Sequence, residues 1–238
     1  MIYTKQQIVG SNLVGADVNL STIGLFGIVE SAITEGMAAL KIDGLTIKQK
    51  YNAFWVFTKN RIKIFGKALW GETLTAQSFI SNISLVKLNV DTVLKRSDGS
   101  ILAYSRCEMC PLDGATGHIK RTSEVGVNGT IAAETPLMDV VFEKLDESNL
   151  PLVDTVVVRS TNVDYSNHCN NVEYLRFMLN TYTVTELVNN SIKEIEVNYV
   201  NQSYEGDTLS VYKSTLDNRD IFSLKKDNQT VIKCEILH

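Results

Sequence analysis

Residues 164–174 read Asp-Tyr-Ser-Asn-His-Cys-Asn-Asn-Val-Glu-Tyr, a run that gathers an acid, hydroxyls, an imidazole and three amides ahead of an apolar pattern. The apolar residues from this point share one helical stripe, which consists of Val172, Leu175, Met178, Leu179, Tyr182, Leu187 and Val188. The stripe predicts one helix with a buried face, and it puts the polar run at the helix N-terminus. The first backbone N–H groups there have no intrahelical partner, so they would stabilise a developing negative charge.

The same order of features occurs twice in the chain. Residues 17–20 precede an apolar helical stretch, as residues 164–167 do, and this alignment puts Ser21 where the second copy has His168. Later in each copy, turn residues and strand residues recur in the same order, with Gly71 matching Gly206 and Cys107 matching Cys234. Each copy therefore predicts a strand, a long helix and several antiparallel strands, an α+β unit whose sheet curls around the helix.

Residues 128–152 lie between the two copies, hold two of the three prolines and show no sustained periodicity. We interpret them as a linker between an N-terminal domain, residues 1–127, and a C-terminal domain, residues 153–238. Two such units can place their sheets edge to edge as a pseudo-dimer.

The composition is that of an ordinary globular protein, with 238 residues, 44% hydrophobic and 21% charged. The N-terminus lacks the pattern of a signal peptide, and no apolar run is long enough to span a bilayer. We expect a cytoplasmic protein that does not bind membranes and whose four cysteines are reduced thiols.

Charge is distributed unevenly. Residues 1–130 contain 14 basic and 10 acidic residues, whereas the remainder contains 9 and 17, so the two parts carry +4 and -8. Lys59, Arg61 and Lys63 alternate with apolar residues, which predicts a strand with a basic outer face. That face is either an ordinary solvated surface or a docking site for an acidic partner. Nucleic acid is a poor candidate because no exposed basic helix with interleaved aromatic residues is predicted.

The motif DYSNHCNNVEY, the segment Trp55–Thr58, Trp70-Gly71-Glu72 and the tandem repeat together resemble the acyl-acyl carrier protein thioesterases. Members of that family have two hotdog domains in one chain, and their motif reads D-x-N-x-H-V-N-N-x-x-Y. Ser166 replaces the Asn at the third position of this motif, and Cys169 replaces its Val. Gln202 stands where the family has a Glu, and Ser203 stands where a Cys often follows.

The resemblance implies hydrolysis of a thioester between a fatty acyl chain and an acyl carrier protein that bears phosphopantetheine, with no cofactor on the enzyme. Asp164 would activate or orient water, and His168 would position the thioester or shuttle a proton. Ser166 would hold Asp164 or the water. Gln202 could only orient water or bind an oxygen, because an amide does not accept a proton at physiological pH.

The resemblance also assigns substrate contacts. Backbone N–H groups near Asn170 and Asn171 are candidates to bind the oxyanion. Residues on the first helix would house the acyl chain; they are Phe26, Ile33 and Met37. The basic strand with Lys59, Arg61 and Lys63 would dock the carrier, because carrier proteins of this class are acidic.

Two alternatives differ in chemistry. A protein of the same fold could bind acyl thioesters without turnover, a hypothesis motivated by Ser166 and Gln202. Hydration of an enoyl thioester is less favoured because its motif has the imidazole five residues after the acid, whereas His168 follows Asp164 by four. Either a monomer or a homodimer is compatible with the tandem repeat.

Overall fold

The computed structural model describes all residues, 1–238, and the chain divides into two compact units, Met1–Val141 and Phe142–His238. We refer to them as the first and second domains. The division falls within the segment 128–152 that the sequence assigns to a linker, and residues 128–151 form no helix or strand.

The first domain is a long helix packed on an antiparallel sheet. Its elements are β1 (Tyr3–Ile8), α1 (Thr22–Ala39), α2 (Gly44–Tyr51), β2 (Ala53–Ile64), β3 (Thr73–Ile83), β4 (Leu88–Lys95), β5 (Ile101–Asp113) and a 3-10 turn (Thr122–Val125). The strand order is β1–β3–β4–β5–β2, and every neighbouring pair is antiparallel. Helix α1 packs against β1, β3 and β4. Such a helix buries its apolar side chains against the inner face of the sheet.

The second domain repeats this order with a shorter first helix. Its elements are β6 (Leu152–Val157), a 3-10 turn (Ser160–Asn162), α3 (Asn171–Leu179), α4 (Val184–Asn189), β7 (Glu194–Tyr199), β8 (Thr208–Leu216), β9 (Arg219–Lys226) and β10 (Gln229–Leu237). The strand order is β6–β8–β9–β10–β7, the same as in the first domain. The predicted order of strand, helix and antiparallel strands is therefore confirmed in both copies.

The prediction of one continuous helix through Val188 is wrong. Helix α3 ends at Leu179, and a second helix, α4, begins at Val184. The reason is a helix start signal within the stripe: the Thr183 hydroxyl accepts from the Glu186 N–H, and the Glu186 carboxylate accepts from the Thr183 N–H. After the break Leu187 is exposed rather than buried.

The turns before β3 and β8 are built alike. Gly71 and Gly206 both have positive φ angles, of 87° and 88°, in agreement with the turns predicted there. The Gly71 N–H donates to the Val9 carbonyl oxygen, and the Gly206 N–H donates to that of Val158, each at 2.9 Å. These paired bonds give a structural alignment of the two copies that does not depend on sequence identity.

Each domain also holds its part of the connecting segment through charged side chains. In the first domain the Arg106 guanidinium forms two hydrogen bonds to the Asp91 carboxylate, at 2.9 and 2.8 Å, and donates to the Val140 carbonyl oxygen at 2.9 Å. In the second domain the Glu147 carboxylate accepts hydrogen bonds from β9 and β10; its donors are Ser223, Thr230 and Lys233. The segment is therefore anchored to strands of each domain by polar contacts.

No single helix has both the length and the hydropathy required to cross a membrane; only the bent pair of α1 and α2, taken together, passes that test.

Candidate active site

Asp164 and His168 close one tight turn ahead of α3. The Asp164 N–H donates to the His168 carbonyl oxygen at 3.0 Å, and the Asn167 N–H donates to the Asp164 carbonyl oxygen at 3.0 Å. Asn167 adopts a φ of 63°, a left-handed conformation that Asn tolerates better than most residues. The acid and the imidazole that the sequence selects are thus carried by the same closed loop.

Ser166 fixes the Asp164 carboxylate. Its backbone N–H donates to Asp164 Oδ1 at 2.8 Å, and its hydroxyl donates to the same oxygen. Two donors on one oxygen restrict the rotation of the carboxylate. The Ser that replaces the family's Asn therefore still provides a hydrogen bond to the acid.

The start of α3 leaves one backbone donor where the sequence predicts two. The Asn170 side chain caps the helix by accepting from the Val172 N–H at 2.8 Å. The Asn170 N–H donates to the Asn162 carbonyl oxygen at 2.8 Å and is therefore already engaged. The Asn171 N–H, at the first helical position, has no acceptor within the helix and is the better candidate for an oxyanion.

Gln202 lies in the connection after β7 and not on a strand, because β7 ends at Tyr199. The same connection runs beside the turn of the motif. The Cys169 N–H donates to the Ser203 carbonyl oxygen at 2.8 Å. The Tyr204 ring meets the His168 ring edge to face, with centroids 5.1 Å apart. The connection that carries Gln202 therefore runs beside the motif turn, and Tyr204 is its residue in contact with the imidazole.

Sequence reasoning gave no role to Ser203 or Tyr204. Ser203 is completely buried and bonds the Tyr174 hydroxyl, with 2.8 Å between the two side-chain oxygens. The sequence signal that could have identified them is their position directly after Gln202, a residue already assigned to the site. Tyr174 is part of the motif, but the motif alone does not reveal its partner.

The imidazole is half-buried, and burial lowers the pKa of His168 below its ordinary value, although the nearby Asp164 charge opposes this shift. His168 is therefore mainly neutral near pH 7, as a group that accepts a proton must be. Cys169 is buried, and burial raises the pKa of its thiol to about 12. Such a thiol is not a nucleophile at physiological pH, and it packs as a small apolar side chain where the family has Val.

The structure corrects the alignment of the two copies. Both Ser21 and Asn170 are N-caps, and the Ser21 N–H donates to the Leu13 carbonyl oxygen as the Asn170 N–H donates to that of Asn162. Ser21 therefore corresponds to Asn170, and the residue equivalent to His168 is Asn19. The sequence alignment was wrong because it paired Asp17 with Asp164, whereas the closed turn begins at Gly15.

The first domain therefore lacks both the acid and the imidazole at the equivalent positions. Gly15 takes the place of Asp164, and Asn19 takes the place of His168. The Gly15 N–H donates to the Asn19 carbonyl oxygen at 2.9 Å, which reproduces the bond between Asp164 and His168. Asp17, at the position of Ser166, pairs with Lys67 at 2.9 Å. The two copies share one loop geometry, but only the second carries the candidate chemistry.

The three predicted acyl-pocket residues all lie on α1 and are buried; Phe26, Ile33 and Met37 expose 3%, 1% and 4% of their surface. They face the sheet from an apolar helix. The basic residues Lys59, Arg61 and Lys63 lie on β2, as predicted, and all three are half-buried. The Arg61 guanidinium donates to the Val141 carbonyl oxygen, so this side chain also holds the connecting segment.

No group of three or more His, Cys, Asp or Glu side chains is placed to hold a metal ion. The Cys107-x-x-Cys110 pair lies on β5, and both thiols are buried.

The fold is shared with solved thioesterases. An acyl-ACP thioesterase from Bacteroides thetaiotaomicron matches with a TM-score of 0.91 and 17% identity, over 99% of this chain and 97% of that chain. The 12:0-ACP thioesterase from Umbellularia californica matches with a TM-score of 0.87 and 15% identity, over 99% and 96% of the two chains. These likenesses confirm an α+β fold with two hotdog domains in one chain.

The family follows from the sequence of the second domain. Residues 145–236 match the family model of the acyl-ACP thioesterase C-terminal domain. This match spans nearly all of the second domain and confirms the resemblance indicated by the motif. No curated protein matches the chain by sequence.

Proposed function

We propose that the protein hydrolyses fatty acyl-acyl carrier protein thioesters. Water adds to the thioester carbonyl carbon, the carbon–sulfur bond breaks, and the products are a free fatty acid and the carrier with its phosphopantetheine thiol. The observation that carries this proposal is the closed turn that holds Asp164 and His168 together at the start of α3. The family of the second domain supports it.

In the proposed reaction Asp164 accepts a hydrogen bond from the attacking water and takes its proton as the bond to carbon forms. Ser166 keeps the carboxylate oriented through its two hydrogen bonds to Oδ1. Neutral His168 contacts the thioester, receives the water-derived proton from Asp164 and passes it to the departing sulfur, so that both groups return to their starting protonation states. Gln202 orients the water through its amide, because it cannot accept a proton.

The negative charge that develops on the carbonyl oxygen is stabilised by the Asn171 N–H at the N-terminus of α3. The helix dipole adds a favourable field at the same end. Asn170 contributes indirectly, because its side chain caps the helix and its N–H fixes the turn to Asn162. This arrangement requires no cofactor on the protein.

The first domain binds the acyl chain in this proposal. Phe26, Ile33 and Met37 supply an apolar surface on α1, and the same residues also form the core of the domain. The carrier protein docks on the basic strand, where Lys59 and Lys63 flank Arg61. The printed names of both solved relatives, which are ACP thioesterases, support a carrier-bound substrate over a coenzyme A thioester.

The test is turnover of a panel of acyl-carrier substrates of increasing chain length, followed by release of the carrier thiol and mass spectrometry of the fatty acid. We expect one range of chain lengths to be hydrolysed and the matching coenzyme A thioesters to react more slowly. Absence of product at every chain length would refute the enzymatic proposal.

A second candidate function is acyl-thioester binding without turnover. Gln202 favours it, because an amide stands where the family has a carboxylate. Binding of an acyl-carrier substrate without release of fatty acid would support this function over hydrolysis.

A further inference from the structure

Tyr174 and Ser203 form a buried hydrogen-bonded pair in the second domain. The Ser203 N–H donates to the Tyr174 hydroxyl oxygen at 3.0 Å, and the two hydroxyl oxygens are 2.8 Å apart. Tyr174 exposes 3% of its surface and Ser203 none. Buried polar groups are costly unless they are paired, so the two hydroxyls satisfy each other and one backbone donor.

The loop scaffold does not require this pair. In the first domain the Leu20 N–H donates to the Ala68 carbonyl oxygen at 2.7 Å, as the Cys169 N–H donates to that of Ser203. Ala68 therefore corresponds to Ser203. Counting from the two N-caps, the counterpart of Tyr174 is Leu25, which is buried on α1. The same loops form there around two apolar side chains.

The pair occurs only in the domain that carries the candidate chemistry, and it joins two parts of that site. Tyr174 lies on α3, three residues after the Asn171 donor. Ser203 lies between Gln202 and Tyr204, and the Tyr204 ring packs on His168. A hydroxyl on α3 thereby fixes the segment that lies against the imidazole.

We propose that Tyr174 is a positioning residue that acts through Ser203: it holds residues 202–204 against His168 and so sets the location of the Gln202 amide. This inference rests on the proposed hydrolysis for its effect on rate. The positioning itself is a property of the fold, through the contact between Tyr204 and His168, and does not depend on turnover.

Tyr174→Phe tests the proposal because it removes the hydroxyl and keeps the ring. Misplacement of a reacting group by about 1 Å costs about 100-fold in rate, so we expect kcat to fall about 10- to 100-fold with a smaller change in KM. The matched control is Tyr182→Phe. Tyr182 lies in the same domain, and its hydroxyl bonds Asp220 outside the candidate site.

A second readout follows the imidazole directly. The chain has three histidines, so NMR can titrate His168 in each variant. In Tyr174→Phe the Tyr204 ring is released and the imidazole becomes more exposed, so its pKa should rise towards the ordinary value. The pKa should stay unchanged in Tyr182→Phe.

A double variant separates positioning from stability. Tyr174→Leu with Ser203→Ala installs the two residues that the first domain uses at these positions, so the domain should fold. We expect this variant to keep a cooperative thermal transition and to show the same loss of kcat and the same shift of the His168 pKa as Tyr174→Phe.

Parental kcat and an unchanged His168 pKa in both Tyr174 variants would overturn the inference. Equal losses of kcat in Tyr174→Phe and Tyr182→Phe would also overturn it, because a general loss of stability would then suffice. If the parent protein releases no fatty acid, the proposed function fails, and the titration of His168 still decides the positioning of residues 202–204.

Discussion

The Asp164 N–H donates to the His168 carbonyl oxygen at 3.0 Å, so the proposed acid and imidazole are the two ends of one hydrogen-bonded turn. Their relative placement is therefore set by the backbone and not by flexible side chains. The equivalent turn of the first domain joins Gly15 to Asn19 and has neither group. This contrast assigns the proposed reaction to the second domain.

Replacement of the acid by an amide should abolish most of the activity. In Asp164→Asn the side-chain oxygen still accepts from the Ser166 N–H, so the turn should keep its shape. The variant cannot take a proton from water, and general base catalysis typically contributes about 10²- to 10⁴-fold. Steady-state kinetics should show a loss of kcat in that range with an unchanged circular dichroism spectrum. A variant with more than half the parental kcat would exclude Asp164 as the base.

Activity should decline on the acid side as His168 becomes protonated. Burial lowers the pKa of His168, so the neutral imidazole persists below the ordinary value of about 6.5. The acid limb of the profile of kcat/KM against pH should therefore have its midpoint below 6.5, the ordinary pKa. A midpoint clearly above that value would show that the imidazole does not control this limb.

The free energy of unfolding should fall as His168 becomes protonated. Because the pKa of His168 is lower in the folded state than in the unfolded chain, protonation favours unfolding. The contribution of neutral His168 to the free energy of unfolding is complete above the pKa that His168 has in the unfolded chain. It is lost as the pH falls through that value towards the lower pKa of the folded protein. Chemical denaturation at several pH values should show this loss in the parent and a smaller one in His168→Gln.

Gln202→Glu should distinguish the enzyme from the binding protein. The change restores the family's carboxylate two residues before Tyr204, whose ring contacts the imidazole, and it supplies a second proton acceptor. If the parent is an active enzyme that relies on Asp164, we expect kcat to change by less than about tenfold. A tenfold change corresponds to about 1.4 kcal/mol of activation free energy. A silent parent that gains turnover in Gln202→Glu would favour the binding function.

Removal of the buried guanidinium of Arg106 should destabilise the first domain. Asp91 is completely buried, and its two bonds to Arg106 are the main compensation for its charge. Breaking a buried ion pair by removal of one partner costs about 3–5 kcal/mol, so Arg106→Ala should lower the free energy of unfolding by about that amount.

A surface pair supplies the control for this change. Arg219 is half-exposed and pairs with Glu235 at 3.2 Å, and exposed pairs are worth only about 0–1 kcal/mol. Urea denaturation of Arg219→Ala should therefore resemble that of the parent. Equal effects of Arg106→Ala and Arg219→Ala would contradict the assigned role of the buried pair. Because Arg106 also binds the Val140 carbonyl oxygen, limited proteolysis of Arg106→Ala should cleave more readily near residue 140.

The sequence predicted those features that depend on local chemistry. Gly71 and Gly206 were identified as turns because a positive φ favours Gly, and Lys59 and Arg61 were identified as strand residues by their alternation. The break after Leu179 is not visible in the hydrophobic pattern, because the apolar stripe continues through Val188. Thr183 caps a second helix there, so the stripe is divided between two helices. A local capping signal prevailed over hydrophobic periodicity.

The long-range contacts of the site could not be predicted in the same way. Tyr174 and Ser203 are 29 residues apart, and nothing in the spacing indicates that their hydroxyls meet. The match of Asn19 to His168 was also hidden, because the acids at positions 17 and 164 suggested another alignment. Backbone hydrogen bonds, which the two copies share, reveal it.

The central claim is tested most directly by one pair of variants at equivalent positions in the two copies. His168→Ala and Asn19→Ala each replace the residue that closes the turn, and turnover of the preferred acyl-carrier substrate is measured for both beside the parent. The account predicts a loss of about 10²- to 10⁴-fold in kcat for His168→Ala and a kcat within about twofold of the parent for Asn19→Ala. Parental turnover in His168→Ala, or equal losses in the two variants, would contradict it.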